Sequence, residues 1–395
     1  MNADEPARRA GDALHRVLDR AAVTGAAVGD RFPLHADPTH GTWTTTRNGS
    51  WTGGFWAGLL WLRARSTGAA ADRRTASAWT ARLAPWAEAD TATRGLILWY
   101  GTAAADDDPD AAALRARAAR ACLSAFDPGL GIVPWGDAFG GPRLLARADA
   151  VPGMVPLLAS AGPAGAAAAS AHLHRHLDLC LGPEDDGRSL GPACRPEGGD
   201  GAGAPRGGPA ARAPDPHAPP SPAWRFEGPV TGWRPCAEPA PGWSRGDAWL
   251  LLAVADALLC PDVAGHRPAR LEAAARRLAE PALRPGPLVP PARTGRPDGP
   301  LDTSAAAITA VALLKLARSP DPLAARYAHR AEEILDHLAR EHVTGPGAGR
   351  PAGMLLDGCY DAGRDLAVRH ELIWGDFFLA LGLAARNGIV DLTRL

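Results

Sequence analysis

The chain has 395 residues, 46% of them hydrophobic and 22% charged, with a formal net charge of −1. A balance so near zero excludes a partner held by bulk electrostatics, nucleic acid included, and a chain of this length buries a core without disulfide support. The cysteines, Cys122, Cys180, Cys194, Cys236, Cys260 and Cys359, lack C-x-x-C spacing, so neither a metal nor a cofactor is expected. Cys180 and Cys260 sit in apolar helical runs and read as buried thiols. Lys315 is the only lysine, and with abundant Ala, Gly and Pro this reads as coding bias. The start, Met1-Asn-Ala-Asp-Glu-Pro, is polar, and no uncharged run reaches membrane-spanning length. The expectation is a cytoplasmic protein without membrane contact, its oligomeric state open.

Taken in order, the chain is mostly helical in pattern. Trp51-Thr-Gly-Gly-Phe-Trp56 opens a long run of apolar helix formers. Apolar residues at i, i+3, i+4 and i+7 predict helices over Asp110–Phe126, Ala146–Leu158 and Ala166–Leu181. Gly131–Trp135, between the first two, is a short extended segment. His172, His174 and His176 read as a partly exposed helix face. Residues 182–222 are rich in Pro and Gly and predict a flexible loop, a lid or a surface excursion. Further helices are predicted over Asp247–Cys260, Arg270–Glu280, Ser304–Ala317, Pro322–Ala339 and Asp376–Asn387. Asp302 and Asp376 read as N-caps, Gly388 as a stop, and Leu355–Tyr360 as a short extended segment.

Two helical textures alternate. Ala248–Leu259 is apolar nearly all round, whereas Arg270–Leu278 and Tyr327–Leu335 are striped with charge. The first kind belongs inside and the second outside. Inner–outer alternation without a fixed-period repeat predicts one all-α domain over residues 1–395, an (α/α) toroid with short β segments in its loops.

Trp243-Ser-Arg-Gly-Asp-Ala-Trp249 and Trp374-Gly-Asp-Phe-Phe378 repeat the theme of Trp51–Trp56: tryptophan and glycine directly before an apolar helix. Glycine permits close approach of backbone to a ligand, and tryptophan offers a flat apolar face with one donor. Together they suit a sugar-stacking pocket lined from several helices; the alternative for each tryptophan alone is ordinary core.

Trp51-Thr-Gly-Gly-Phe-Trp-Ala-Gly-Leu-Leu-Trp61 resembles the opening signature of the unsaturated glucuronyl hydrolases, glycoside hydrolase family 88, and of the related unsaturated rhamnogalacturonyl hydrolases, family 105. Trp243–Trp249, Asp302-Thr-Ser-Ala-Ala-Ala-Ile-Thr-Ala310 and Ile373-Trp-Gly-Asp-Phe-Phe378 resemble later segments of the same families, in the same order. The resemblance implies an (α/α)6 barrel that hydrates the C4–C5 double bond of an unsaturated uronic acid residue. The hemiketal so formed opens and releases the aglycone, with one carboxyl as acid and base. The partner implied is a small oligosaccharide or glycoside.

Asp149, in Ala148-Asp-Ala-Val-Pro-Gly-Met-Val-Pro-Leu-Leu158, matches that carboxyl, and its seven-residue spacing to Pro156 fits family 105 slightly better. An N-cap role suits the position equally. The resemblance assigns substrate binding to Trp51, Thr93, Trp135, Arg245 and Trp249; for Arg245 a helix-start pair with Asp247 is the alternative. The chain also departs from the pattern. Ala92-Thr-Arg-Gly-Leu96 occupies the place of the motif carrying a second aspartate, so Thr93 takes that position. Asp90 and Asp137 are the nearby carboxylates that could compensate. Histidine is missing near Ser189–Pro192, and Val230-Thr-Gly232 replaces an H-Q-G segment. Three readings stay open: an uronyl hydrolase, a divergent barrel acting on a specialised-metabolite glycoside, and a non-catalytic carbohydrate-binding homologue.

Overall fold

The computed structural model describes residues 4–105, 107–182, 221–347 and 349–395. The expected loop over 182–222 lies almost wholly outside them. The described chain opens with α1 (Asp4–Val28), amphipathic, with Leu14, Val17 and Leu18 buried. A hairpin of β1 (Phe32–Ala36) and β2 (Trp43–Thr46) leads to α2 (Gly53–Thr67), then α3 (Ala70–Ala81). A π-helical turn, Gly95–Trp99, runs on into α4 (Tyr100–Thr102), and α5 (Pro109–Ala125) follows. Next come β3 (Leu145–Arg147), α6 (Met154–Ala159) and α7 (Pro163–Leu181). β4 (Ala223–Phe226) and β5 (Trp233–Pro235) precede α8 (Ser244–Leu259), α9 (Pro261–Ala264) and α10 (Pro268–Leu283). The chain ends with α11 (Thr303–Leu316), α12 (Ala324–His337), β6 (Gly358–Asp361), β7 (Leu366–Leu372) and α13 (Ile373–Arg386).

The packing follows the two textures. α2 packs on the Gly95–Thr102 segment, that segment on α6, α6 on α8, α8 on α11, α11 on α13, and α13 back on α2. This inner ring is closed, and its helices are enclosed on nearly every face: Phe55, Trp56, Trp249, Leu252, Ile308, Trp374 and Phe378 are buried. Full burial of side chains of this size stabilises by roughly 1.5–3 kcal/mol each. Outside it, α1 packs on α13 and α2, α3 on α2, α5 and α7 on α6, α10 on α8, and α12 on α11. The outer helices turn one stripe inward, as with Leu271, Ala274, Ala275 and Leu278 of α10. The result is a double helical ring, the toroid expected from the alternation.

The motif glycines are packing devices. A Cβ on Gly54 would sit 2.2 Å from the Ile97 carbonyl oxygen and 2.3 Å from that of Leu96. One on Gly95 would sit 2.2 Å from the Met154 nitrogen. Their absence lets α2 and α6 close on the π-helical turn between them. The close approach anticipated for a ligand is thus used by neighbouring helices.

Two small antiparallel sheets sit beside the ring, in the orders β2-β1-β7-β6 and β3-β4-β5. β1 meets β7 at His35↔Leu372 and Ala36↔Glu371, joining the two ends of the described chain. The extended segment expected at Leu355–Tyr360 is β6, shifted onward. Gly131–Trp135 forms no strand and carries an isolated bridge, Asp127↔Ile132.

Four other expectations need correction. Ala146–Leu158 is not one helix. It is β3, a 3-10 turn over Ala148–Ala150, and α6, because Pro152 and the left-handed Gly153 (φ 69) end the turn before α6 starts. Asp376 is not a cap: Leu372 holds that position, and Asp376 lies inside α13, buried, with Oδ1 unpartnered. Burial pushes its carboxyl well up, Glu371 adds to this, and Arg20 opposes it. The histidines of α7 are not a partly exposed face either: His172 and His176 are fully buried and His174 nearly so. Cys180 is a buried thiol as read, whereas Cys260 is only partly buried. Asp302 does cap α11, accepting from the backbone N–H groups of Ser304 and Ala305. Among the described residues, no helix is long and apolar enough to cross a membrane.

Candidate active site

A cavity of about 540 Å3 opens where α2, α8 and the π-helical turn begin. Trp51, Thr93, Trp135, Asp149, Arg245 and Trp249 all line it, brought together from five segments of the chain that are far apart in sequence. The aromatic wall also includes Phe139, Trp243 and Tyr360. The lining carboxylates among the described residues are Asp149, Glu238 and Asp361.

Trp51 sits on the 3-10 turn before α2 and donates from Nε1 to the Tyr360 hydroxyl at 3.1 Å. Its ring lies 4.8 Å from that of Trp374, which in turn donates from Nε1 to Ser304 Oγ at 3.0 Å. Trp249 is 99% covered, so its exposure of 1% leaves little face for a ligand; it stacks against Phe55 at 6.1 Å. Of the aromatic residues first picked out, Trp51 and Trp135 keep accessible surface, and Trp249 acts mainly as their floor.

Arg245 is committed within the protein. Its Nη1 donates to Asp302 Oδ2 and to the Cys359 carbonyl, both at 2.6 Å, and Nη2 to the Tyr360 carbonyl at 2.7 Å. Its partner is therefore Asp302 and not the neighbouring Asp247. Asp247 faces burial instead, which pushes its carboxyl up to about 6 against the pull of Arg277. Arg245 thus fixes β6 and its Tyr360 to α8 and α11 more directly than it offers donors to a ligand.

Thr93 is buried and shares a hydrogen bond with the Thr91 hydroxyl at 2.9 Å. Neither of the two carboxylates expected to compensate reaches the cavity. Asp90 accepts from Arg143 at 2.9 Å, and neither Asp90 nor Asp137 lines the cavity.

Asp149 follows β3 on the Ala148–Ala150 turn, with its side chain 17% exposed. Arg147, two residues earlier, donates from Nε to Oδ1 and from Nη2 to Oδ2, each at 2.9 Å. The Arg147 guanidinium also lies over the Trp135 ring, 4.5 Å from its centroid. Burial alone pulls Arg147 down, but the charge and hydrogen bonds of Asp149 outweigh it and hold the guanidinium above its ordinary value. Sequence reasoning missed Arg147. An alternating Arg-x-Asp at the end of a strand was the available signal, since i and i+2 share a face of a strand.

Behind this turn lies the histidine cluster. His172 Nδ1 accepts from the Val133 N–H at 3.1 Å, so its Nε2 carries the proton and donates to the Ala150 carbonyl at 3.3 Å. One imidazole thereby ties the segment leading to Trp135 to the turn carrying Asp149. His176 donates from Nδ1 to the His172 carbonyl at 2.7 Å, leaving Nε2 buried without a partner. Burial pushes His172 well down and His176 down to about 4. The described residues contain no group of His, Cys, Asp and Glu arranged to hold a metal ion.

No protein-family model and no curated protein matches the chain. Solved structures do. An Asp-to-Asn variant designated UGL with dGlcA-Glc-Rha-Glc is 22% identical, with a TM-score of 0.76 over 95% of this chain and 97% of that one. The unsaturated glucuronyl hydrolase of Bacillus sp. GL1, described as responsible for glycosaminoglycan degradation, is 21% identical, with a TM-score of 0.74 over 96% and 97%. An unsaturated glucuronyl hydrolase specific for heparin is 19% identical, with a TM-score of 0.73 over 99% and 100%. The chain therefore has the helical-toroid fold of the unsaturated glucuronyl hydrolases, in a strongly diverged sequence.

Proposed function

We propose that the protein is a glycoside hydrolase-like enzyme that hydrates the C4–C5 double bond of an unsaturated uronic acid residue, with Asp149 as general acid and base. The observation that carries this reading is the convergence of Trp51, Trp135 and Asp149 on one cavity within this fold. Asp149 lines that cavity together with these aromatic residues, from the turn that precedes α6.

The chemistry needs one carboxyl group. In its acid form Asp149 gives a proton to C4 of the enol ether, and positive charge develops at C5 and the ring oxygen. The resulting carboxylate takes a proton from water as the water oxygen bonds to C5. The hemiketal then opens by breaking the bond between C5 and the ring oxygen, and the hemiacetal at C1 expels the aglycone as an alcohol. Two flanking carboxyls at nucleophile or water distance, as in direct anomeric displacement, are not required. Trp51 and Trp135 supply flat faces for sugar rings.

A second reading, a non-catalytic carbohydrate-binding homologue, draws on Thr93, whose hydroxyl is satisfied by Thr91 where a carboxylate is expected. The two readings separate in one assay. The enzyme reading expects loss of the unsaturated chromophore with wild-type protein and none with Asp149→Asn. The binding reading expects saccharide binding with no change in the chromophore for either protein.

A further inference from the structure

We infer that Phe139 is the platform on which the aglycone rests, a stacking site for an uncharged group with a flat apolar face, and that Trp86 backs it from behind. The inference rests on the reading of the cavity as a uronide site, which decides which end of the ligand lies against Phe139.

The sequence around Phe139 builds a short loop on a fixed base. Gly136 is left-handed (φ 83), and a Cβ there would sit 2.0 Å from the Asp90 carbonyl oxygen. Glycine thus lets the chain run against Thr91, with which Gly136 forms an antiparallel bridge. The Gly136 N–H donates to the Arg143 carbonyl at 3.1 Å and closes the loop. The Ala138 N–H donates to the Asp90 carbonyl at 3.1 Å, and Arg143 Nε to Asp90 Oδ2 at 2.9 Å. Gly140 and Gly141, both left-handed, turn the chain back directly after Phe139. Asp90 is therefore the anchor of this loop, and Phe139 is held near its tip.

The ring has support on one side and open cavity on another. The Phe139 and Trp86 rings are near parallel, 14° apart, with centroids at 5.1 Å. Trp86 ends the 3-10 turn Ala84–Trp86 and donates from Nε1 to the Asn48 carbonyl at 2.6 Å, so its own plane is fixed independently. Among the described residues Trp86 is the one ring stacked on Phe139. Phe139 lines the cavity and Trp86 does not. Phe139 is only half-buried. Its surface toward the cavity is apolar and left to water, and a flat apolar group covers it favourably.

Position and charge decide what that group is. The reacting sugar must lie within reach of Asp149, hence beside Trp135, which Arg147 joins to Asp149. Phe139 follows Trp135 by four residues, a stretch that spans at most about 14 Å. The group bonded to the reacting sugar, and not that sugar, is the one that reaches it. A cavity of about 540 Å3 is in the range that encloses drug-sized ligands, so it has room beyond one sugar ring. Each lining guanidinium already has a carboxylate: Arg147 has Asp149, Arg245 has Asp302, Arg293 has Glu238 and Arg364 has Asp361. Flatness, and not charge, is left as the feature read at the aglycone end. An aryl ring and the hydrogen-bearing face of a pyranose share it.

The test reads a preference between aglycones. Wild type, Phe139→Ala, Phe139→Leu, Phe139→Tyr and Trp86→Leu are titrated calorimetrically with methyl β-D-glucuronide, phenyl β-D-glucuronide and a glucuronyl-glucose disaccharide. The wild type should bind the phenyl compound, the disaccharide or both about three- to tenfold more tightly than the methyl compound, the range of one aromatic contact. A gain with the phenyl compound alone assigns an aryl aglycone, and a gain with the disaccharide assigns a sugar. Phe139→Ala and Phe139→Leu should lose the preference while holding the methyl compound as the wild type does, and Phe139→Tyr should keep it. Trp86→Leu changes no lining residue and should reduce the preference through Phe139. A wild type that binds none of the three, or all equally, overturns the inference, as does a preference that persists in Phe139→Ala. An equal loss for all three ligands in Phe139→Ala and Phe139→Leu also overturns it, because Phe139 then only supports the loop. These outcomes do not depend on turnover. A preference that Phe139→Ala abolishes, in a protein that leaves the unsaturated chromophore intact, supports the platform and refutes the hydration reading. Bleaching by a wild type whose preference ignores Phe139 does the reverse.

Discussion

Arg245 on α8 donates to Asp302, the N-cap of α11, at 2.6 Å across the inner ring, with both side chains almost completely buried. The same guanidinium reaches the carbonyls of Cys359 and Tyr360 in β6. One side chain thus holds two ring helices and the strand that carries the Tyr360 ring. Removing one partner of a buried, hydrogen-bonded ion pair leaves the other charge uncompensated, which costs about 3–5 kcal/mol. Arg245→Ala is expected to lose that much, read from urea denaturation. A loss below about 1 kcal/mol, the range of an exposed pair, contradicts the clamp.

Gly54 carries the packing of α2 on the π-helical turn. A methyl group there meets two backbone oxygens at 2.2 and 2.3 Å, and backbone cannot step aside as a side-chain tip can. Gly54→Ala is expected to cost more than the roughly 1–3 kcal/mol of ordinary overpacking, or to abolish folding. Gly25→Ala in α1 is the control. Its nearest foreign atom is Trp56 at 3.7 Å, an ordinary contact, so the helix should gain up to about 1 kcal/mol. Thermal melts of the two variants should move in opposite directions.

His172 predicts an acid sensitivity. Burial holds its folded-state value well below 6.5, so the unfolded chain takes up a proton that the folded chain refuses. Its stabilising contribution is complete above pH 6.5 and is lost as pH falls below it, with a slope approaching about 1.4 kcal/mol per pH unit. His172→Gln keeps a donor and an acceptor for Ala150 and Val133 but cannot titrate. The stability of wild type relative to this variant should therefore fall between pH 7 and pH 5. A difference that stays flat with pH contradicts a buried neutral imidazole. Buried carboxyls such as Asp247 work in the opposite direction, which is why the comparison uses a single-site variant.

How much of this was legible in the sequence depends on the range of each contact. The inner–outer alternation and the Asp302 cap are local patterns, and both reappear in the structure. The aromatic and acidic residues of the cavity were found because their motifs sit at helix openings, and the closed ring brings those openings to one end. Arg147 escaped because its role depends on a side-chain conformation over Asp149 and Trp135 that spacing does not dictate. The α7 histidines looked solvent-facing because their sequence is polar. Their burial comes from partners at Val133, Ala150 and His266, 22 to 92 residues away. Asp376 looked like a cap because α13 begins three residues before it, at Ile373, after β7 has already set the chain direction.

The central claim is that Asp149 hydrates an unsaturated uronide in this cavity, and ultraviolet absorbance of the C4–C5 double bond reads it directly. Wild-type protein incubated with 4,5-unsaturated uronides of glycosaminoglycan, pectic and simple aryl-glycoside origin should bleach the absorbance of at least one of them. Asp149→Asn, shown to be folded by its circular dichroism, should lower the rate by at least about 10²–10⁴-fold, the usual worth of a positioned acid–base group. An unchanged rate in Asp149→Asn, or no bleaching of any of these substrates by the wild type, contradicts the account.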